Sequence, residues 1–194
     1  MYSKSFNLEI NKKISPFKKN IKVDSDKSIS IRSFIISAIS QNISKIENVL
    51  ESDDVFSTIN CLKKLGVKII KKSRGNYLVY GKGLGSLYAK KNLELNFGNS
   101  GTLARLLLGV LSSTPNIELR VKGDHSLNKR NMKKLIDLMS EFGAAFLPKK
   151  KFNFPLKIIS SEIPIGIKYN AGVSAQLKSA VILAGLNAYG NTTI

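Results

Sequence analysis

Three serines that open apolar-periodic runs, Ser28, Ser100 and Ser174, stand 72 and 74 residues apart in a chain of 194. The elements around each serine come in one order, and that repetition restricts the fold more than any single segment does. In the first unit Ile21–Val23 reads as a short strand. Ser28–Ser40 follows as a helix with Ile29, Ile35, Ile36 and Ile39 on its buried side. Lys45–Val49 reads as a strand, and Ser52-Asp53-Asp54 caps a helix that runs to about Leu65 and stops at Gly66. Val67–Lys71 and Tyr77–Tyr80 close the unit as a hairpin.

The same β-α-β-α-β-β order restarts at Leu93–Phe97. A helix capped by Asn99-Ser100-Gly101-Thr102 runs to about Leu111, Ile117–Val121 is a strand, and a second helix runs from Ser126 to about Phe142, ended by Gly143. Ala144–Leu147 and Pro155–Ile159 form the closing pair. A third start follows, with the strand Gly166–Tyr169, the helix Ser174–Ala188, Gly190 as its stop, and Thr192–Ile194 beginning another strand. The reading is an α/β protein of two full units and the start of a third. On the same period about 50 more residues would complete that unit, and a strand edge at Ile194 would expose unpaired backbone groups. The chain is therefore expected to be part of something longer.

Composition narrows the function. Hydrophobic residues make up 43% and charged residues 23%, a globular balance. Lys plus Arg number 31 against 13 Asp plus Glu, a net charge of +18 that first suggests nucleic acid. However, 26 of the 31 cations are Lys, scattered as doublets on what read as solvated faces, and no Trp is present to stack on bases. A Lys- and Ile-rich excess is also what an AT-rich genome produces. The field still favours small anionic substrates. One Cys and one His exclude an intrachain disulfide, a Cys-based metal site and a multi-histidine cluster. No apolar run approaches the ~18 residues of a membrane helix. The basic N-terminus has no Arg before Arg32 and no apolar core, so it reads as mature protein, and the whole as cytoplasmic.

Each repeated helix start is a candidate anion site, because its free N–H groups and the positive end of the helix dipole face outward. Each also carries a cation about one turn in: Arg32, Arg105 and Lys178. If the units share one orientation, the three starts converge. Several other features have plain explanations. Arg105 and Lys178 can simply complete a first helical turn, and Asp53 and Asp54 sit where caps belong. His125 reads as a capping or surface residue and Cys61 as a small core residue. Gly81–Gly85 lacks the helix and Lys-Ser/Thr of a phosphate loop and reads as a connector.

Five segments together resemble the EPSP synthase (3-phosphoshikimate 1-carboxyvinyltransferase) family. They are Asp26-Lys27-Ser28-Ile29-Ser30 with Arg32, Ile46–Val55, Gly98–Arg105, Gly123–Leu127 with Arg130 and Met132, and Val173–Leu186. The resemblance covers nearly everything from Lys22 onward. It implies an enolpyruvyl transferase fold, an inverse α/β barrel-like domain of β-α-β-α-β-β units with pseudo-threefold symmetry. The units here fall at about 22–91, 92–160 and 161–194, and residues 1–21 belong with a second domain. It also implies transfer of the enolpyruvyl group of phosphoenolpyruvate to the 5-hydroxyl of shikimate 3-phosphate. The reaction runs by addition and elimination, without metal or organic cofactor, in a protein that is a monomer when complete.

Carried over by motif, Lys27 touches both substrates and takes part in proton transfer. Lys27, Ser28, Arg32, Ser174, Ala175 and Gln176 hold shikimate 3-phosphate. Lys27, Asn99, Gly101, Thr102, Arg130 and Gln176 hold phosphoenolpyruvate. Gly101 also leaves the room that the inhibitor glyphosate needs in this family, which implies a sensitive-type pocket. The chain departs from the usual motifs at Asp24-Ser25, where Pro-Gly is common, at Ile31 for His, at Ser100 for Ala and at Asn131 for Pro. Ser100 is expected to narrow the phosphoenolpyruvate pocket slightly. The family's acidic base lies in the second domain, so this stretch by itself is expected to be inactive. Two rival readings stand beside this one. The first is the sister transferase acting on UDP-N-acetylglucosamine, whose first motif has Lys-Asn in place of Asp26-Lys27-Ser28. The second is a non-catalytic fragment or basic nucleic-acid-binding module.

Overall fold

The helix at the centre of the molecule is the one that follows the second sequence motif. In the computed structural model, which describes residues 7–9, 11–13, 15–16, 18, 20–21 and 23–194, α3 (Gly101–Ser113) is buried at every position except Arg105. Its sequence explains this, since Leu103, Leu106, Leu107, Leu108, Val110 and Leu111 surround the axis, as expected of a fully enclosed helix. Against it pack α1 (Lys27–Ile39) and α6 (Ala175–Gly185). Gly109 sets the α3–α6 approach, because a Cβ there would lie 2.5 Å from the Ala180 carbonyl oxygen.

Two sheets cover the helices. β1 (Ile43–Ile46), β2 (Lys68–Ser73) and β3 (Asn76–Tyr80) pair antiparallel in the order β1-β3-β2. β4 (Glu94–Asn96), β5 (Glu118–Lys122), β6 (Ala145–Leu147) and β7 (Leu156–Ile159) run in the order β4-β5-β7-β6. The β5-β7-β6 part is antiparallel and repeats the order of the first sheet. β4 and β5 are parallel, and α3 supplies the crossover that a parallel pair needs. Burial alternates along β3, β5 and β7, so each of these strands turns one face to the helices and the other outward. Edge-to-face ring pairs fill the layer between: Phe34 with Tyr77 at 5.2 Å, and Phe97 with Phe154 at 5.7 Å. α2 (Asp53–Lys64) lies across α1 and α3, and α5 (Lys133–Glu141) across α3 and α6.

Several expectations need correcting. The helix expected to open at Ser28 begins at Lys27, because the Asp26 carboxylate caps it by accepting the Ile29 N–H at 2.6 Å. Ile29 and Ile36 are exposed. They lie two turns apart on the side of α1 away from Phe34, Ile35 and Ala38, and the mixture of Ile and Ser around that helix, with Ser30 and Ser37 buried, hides which face is inward. Ile21 and Val23 form no strand, and Lys22 lies outside the described residues, so the first sheet has three strands rather than four among the described residues. The strand expected at Lys45–Val49 is shifted to Ile43–Ile46, between Asn42 and Asn48, which both have positive φ. The helix expected from Ser126 to Phe142 is broken into α4 (His125–Asn128) and α5. At the break Met132 N–H leaves the helical pattern and donates to the Phe152 carbonyl at 2.7 Å, while Asn131 accepts the Lys133 N–H at 2.8 Å. α6 ends at Gly185, short of Ala188. The expected strands at Gly166–Tyr169 and Thr192–Ile194 are reduced to single bridges, Ile165 with Tyr189 and Lys168 with Thr193. Gly66 and Gly143 do end their helices, with φ of 87° and 97°.

Glu51 ties the first sheet to the loop before α2. Its carboxylate accepts from the Gly75 N–H, the Tyr77 hydroxyl and the Lys71 ammonium, each at 2.8 Å. The Gly75 N–H above all, then Lys71 and Tyr77, lower its pKa from the usual 4.5 to about 2. A depressed carboxylate contributes stability that is complete above its ordinary value and is lost as pH falls through its folded value. Glu51→Gln should therefore destabilise the protein by about 1–3 kcal/mol near neutral pH. The gap to the parent should close as pH falls from 4.5 towards about 2, which urea unfolding at several pH values reads directly. Burial, then the hydrogen bond to Glu51, pushes the Tyr77 hydroxyl up to about 12.

Candidate active site

Each element that the sequence marks as a helix start contributes to one face. At the start of α1, Lys27 is the first helical residue and stands half-exposed. Its ammonium pairs with Asp54 Oδ2 at 2.9 Å across to the first turn of α2. Asp54 is thus the partner of Lys27, a role its position before a helix does not reveal. One turn into α1, Arg32 donates to the Ser28 carbonyl at 3.2 Å and reaches Ser179 Oγ of α6 at 3.5 Å. This links Lys27, Ser28 and Arg32 to the first turns of α6.

At the start of α3, Ser100 is fully buried and accepts the Leu103 N–H at 3.2 Å. Its hydroxyl is turned into its own helix, so it does not narrow a pocket in the way expected. Next to it, the space where a side chain of Gly101 would sit is occupied by two guanidinium groups. A Cβ on Gly101 would lie 2.8 Å from Arg105 Nη1 and 2.9 Å from Arg130 Nη1. Arg105 donates to the Gly101 carbonyl at 3.1 Å, and Arg130 donates to Asn99 Oδ1 at 2.7 Å. Burial, and secondarily the charge of Arg130, lower the pKa of the half-buried Arg105 guanidinium. The break between α4 and α5 is what presents Arg130 here, since the residue sits on exposed irregular backbone rather than inside a continuous helix.

At the start of α6, Ser174 Oγ accepts the Leu177 N–H at 3.4 Å. From the first turn, Gln176 Nε2 donates to Thr102 Oγ1 at 3.0 Å, which fastens this start to that of α3. Asn99, Gly101, Thr102, Arg130 and Gln176 are therefore joined by direct contact or through one neighbour. Among the described residues no hydrogen bond or ion pair joins Lys27 to that group; its ammonium is paired with Asp54. α2 connects them, because Asp54 holds Lys27 and Ser57, one turn on, packs against Gly98 in the turn that presents Asn99. Ser174 and Ala175 begin α6 beside Gln176, with Lys178 partly exposed in the next turn.

Residues with plainer roles lie elsewhere. His125 is exposed and starts α4, which Asp124 caps by accepting the Leu127 N–H at 2.7 Å. Cys61 is buried, lies 3.3 Å from the Asn96 carbonyl, and burial pushes its thiol up to about 12. Among the described residues no group of three or more His, Cys, Asp or Glu side chains could hold a metal ion, and no helix is long and apolar enough to cross a membrane. The candidate face is cationic, with Lys27, Arg32, Arg105 and Arg130 and the N-terminal ends of three helices. Such a surface binds phosphates and carboxylates and stabilises negative charge that develops on them.

Comparison with known proteins agrees with that chemistry. The family model for EPSP synthase (3-phosphoshikimate 1-carboxyvinyltransferase) matches residues 11–194. A 3-phosphoshikimate 1-carboxyvinyltransferase of Syntrophomonas wolfei is 40% identical over 187 residues, covering 96% of this chain and 43% of the relative. One from Ruegeria is 37% identical over 185 residues, covering 95% of this chain and 41% of the relative. A solved EPSP synthase from Acinetobacter baumannii superposes with a TM-score of 0.81 at 34% identity, over 89% of this chain and 39% of that one. The chain thus spans about two fifths of the length of these relatives. On this match and on the fold, the chain belongs to the EPSP synthase family.

Proposed function

We propose that the protein transfers the enolpyruvyl group of phosphoenolpyruvate to the 5-hydroxyl of shikimate 3-phosphate, releasing phosphate, and that this chain forms one wall of the site. The observation that carries the reading is the placement of Arg105 and Arg130 around Gly101, with Gln176 joined to Thr102 beside them. In this reading Asn99, Gly101, Thr102, Arg130 and Gln176 receive phosphoenolpyruvate. Ser174, Ala175 and Gln176 receive the phosphate of the second substrate at the α6 start, while Ser28 and Arg32 hold its carboxylate end. Arg32 suits a planar two-oxygen partner. Lys27 reaches both substrates and takes part in proton transfer as the 5-hydroxyl oxygen adds to the enol carbon. Elimination of phosphate from the tetrahedral intermediate follows. The acidic base is expected on the part of the enzyme that relatives carry beyond this stretch.

The finer architecture is proposed on the same footing. Residues 22–194 form an N-terminal domain of pseudo-threefold β-α-β-α-β-β units, and residues 1–21 belong with a second domain. Two observations support this. The β1-β3-β2 order recurs as β5-β7-β6. In addition, α2 lies across α1 and α3 and α5 across α3 and α6, while the α1–α6 seam shows Ile36 and Ile182 about half-exposed, where a third unit's second helix would lie. The complete enzyme is proposed to be a cytoplasmic monomer without a nucleic-acid partner.

The test is phosphate release by the full-length enzyme. Release that requires phosphoenolpyruvate and shikimate 3-phosphate together supports the reading. Release with UDP-N-acetylglucosamine instead, or none with either acceptor, contradicts it. A second prediction follows from the geometry at Gly101. A methyl group there displaces the ends of two flexible side chains rather than backbone. Gly101→Ala should therefore leave thermal stability nearly unchanged. Because displacement of a binding group by about 1 Å can cost about 10²-fold, the KM for phosphoenolpyruvate should rise about 10–100-fold, which steady-state kinetics measures.

A further inference from the structure

The turn between β6 and β7 carries Lys149, Lys150 and Lys151 in a row, which exposure to solvent would by itself allow. Its backbone argues for more. Lys150 has a φ of 64°, and each of the other non-glycine residues with positive φ among the described residues is an asparagine: Asn42, Asn48, Asn92 and Asn116. Asn tolerates that conformation because its short polar side chain bonds locally, and Lys has no such relief. Lys and Asn codons are equally AT-rich, so base composition does not select Lys here. A cation is kept where backbone strain disfavours it, and such strain points to a use for the side chain.

The turn is also fixed in place. Lys151 N–H donates to the Pro148 carbonyl at 3.4 Å, and the Phe152 carbonyl accepts the Met132 N–H at 2.7 Å. The Lys133 ammonium lies 5.1 Å from the centre of the Phe152 ring. These contacts hold the lysine turn against the α4–α5 break, just beyond Arg130. From Arg130 through Met132 and Phe152 to Lys151 the path between Cα atoms is at most about 16 Å. Lys129 and Lys134 stand exposed on the break itself. Residues 129–134 and 148–153 together hold seven cations and no acid, and Lys133 is balanced by Asp137 at 2.7 Å.

We propose that Lys149, Lys150 and Lys151, with Lys129 and Lys134, form a cationic collar that draws doubly charged phosphate compounds toward Arg130 by long-range attraction, without contacting them once bound. The strained but tethered turn holds the charges in a constant position, so their field acts without the side chains having to be ordered on arrival of the anion. Phe152, the one aromatic residue in these two segments, is half-buried beneath Lys133 and presents no open face to a base, so a small anion suits the collar better than a nucleic acid. This rests on the proposed function only for which phosphate compound is drawn in.

The test compares the parent full-length enzyme with a turn variant, Lys149→Gln with Lys150→Gln and Lys151→Gln. A control variant, Lys45→Gln with Lys68→Gln and Lys72→Gln, removes as much charge from exposed positions of the first sheet. The KM for phosphoenolpyruvate and the Kd for inorganic phosphate are measured at ionic strengths of about 10 mM and about 500 mM, where the screening length falls from about 30 Å to a few ångströms. At low salt the turn variant should raise both constants about threefold to tenfold, with kcat within about twofold of the parent. At high salt it should match the parent. Arg at the three positions should preserve the parent's constants, and Glu should about square the loss, since it reverses the charge. The control should shift neither constant by more than about twofold. Unchanged constants in the turn variant at low salt would overturn the proposal. So would a loss that persists at high salt, which marks direct contact, or an equal loss in the control, which marks net charge alone. Tight binding of a single-stranded RNA oligomer that the turn variant loses while both constants stay unchanged would assign the turn to nucleic acid instead. If the parent turns over neither substrate but the phosphate Kd follows the expected pattern, the assigned reaction fails while the collar stands.

Discussion

Lys27→Met should lower the turnover of the full-length enzyme about 10²–10⁴-fold, the range for removing a proton-transferring or charge-stabilising group. The same substitution should change folding stability by no more than about 1 kcal/mol, because a half-exposed ion pair contributes little. The separation of these two magnitudes is what distinguishes a working cation from a structural one. Lys27 pairs with Asp54 at 2.9 Å, so a purely structural account would predict the reverse, a measurable loss of stability with activity retained. Lys27→Arg keeps the charge but spreads it over a planar fork, and it should recover binding better than turnover. Turnover rates and chemical denaturation of the same preparations give both numbers.

Gly109→Val should abolish the fold, and Gly109→Ala should already cost about 1–3 kcal/mol. The two relevant effects oppose each other. Ala in place of Gly inside a helix gains about 1 kcal/mol from propensity alone. Against that, a Cβ at Gly109 would lie 2.5 Å from the Ala180 carbonyl oxygen and 2.9 Å from its Cα, both backbone atoms of the facing helix. Backbone cannot swing aside as a side chain can, so α3 and α6 must separate across a buried contact, and overpacking outweighs propensity. The functional consequence is indirect but specific. Separation of these helices would break the Gln176–Thr102 hydrogen bond that holds two helix starts together. Thermal melting of Gly109→Ala would show the sign of the balance, and a more stable variant would mean that the helices have slack here.

Much of this was legible in the sequence. The serines at Ser100 and Ser174 do cap helices, and the Asn99–Arg105 and Ser174–Gln176 motifs do meet, because capping chemistry is local and motif spacing is preserved by the fold. Three things were less legible. α1 mixes Ile and Ser around its axis and buries Ser30 and Ser37, so periodicity could not show that Ile29 and Ile36 face outward. The break at Asn131-Met132 depends in part on the Phe152 carbonyl, twenty residues away in sequence, and its one local sign is Asn131, whose side chain accepts the Lys133 N–H. Asp54 looks like an ordinary helix-start residue. Its pairing with Lys27 appears only when α2 is placed against α1, and the approach of Arg130 to Arg105 only when the α4–α5 break is placed against α3.

The most direct test of the central claim, that these helix starts receive the two anionic substrates, is a crystal structure of the full-length enzyme with shikimate 3-phosphate. The phosphate should lie within hydrogen-bond distance of Ser174, Ala175 and Gln176 at the α6 start. The carboxylate should lie against Arg32, with Lys27 facing the 5-hydroxyl. Density for the ligand elsewhere, with these residues unengaged in an active enzyme, would contradict the account.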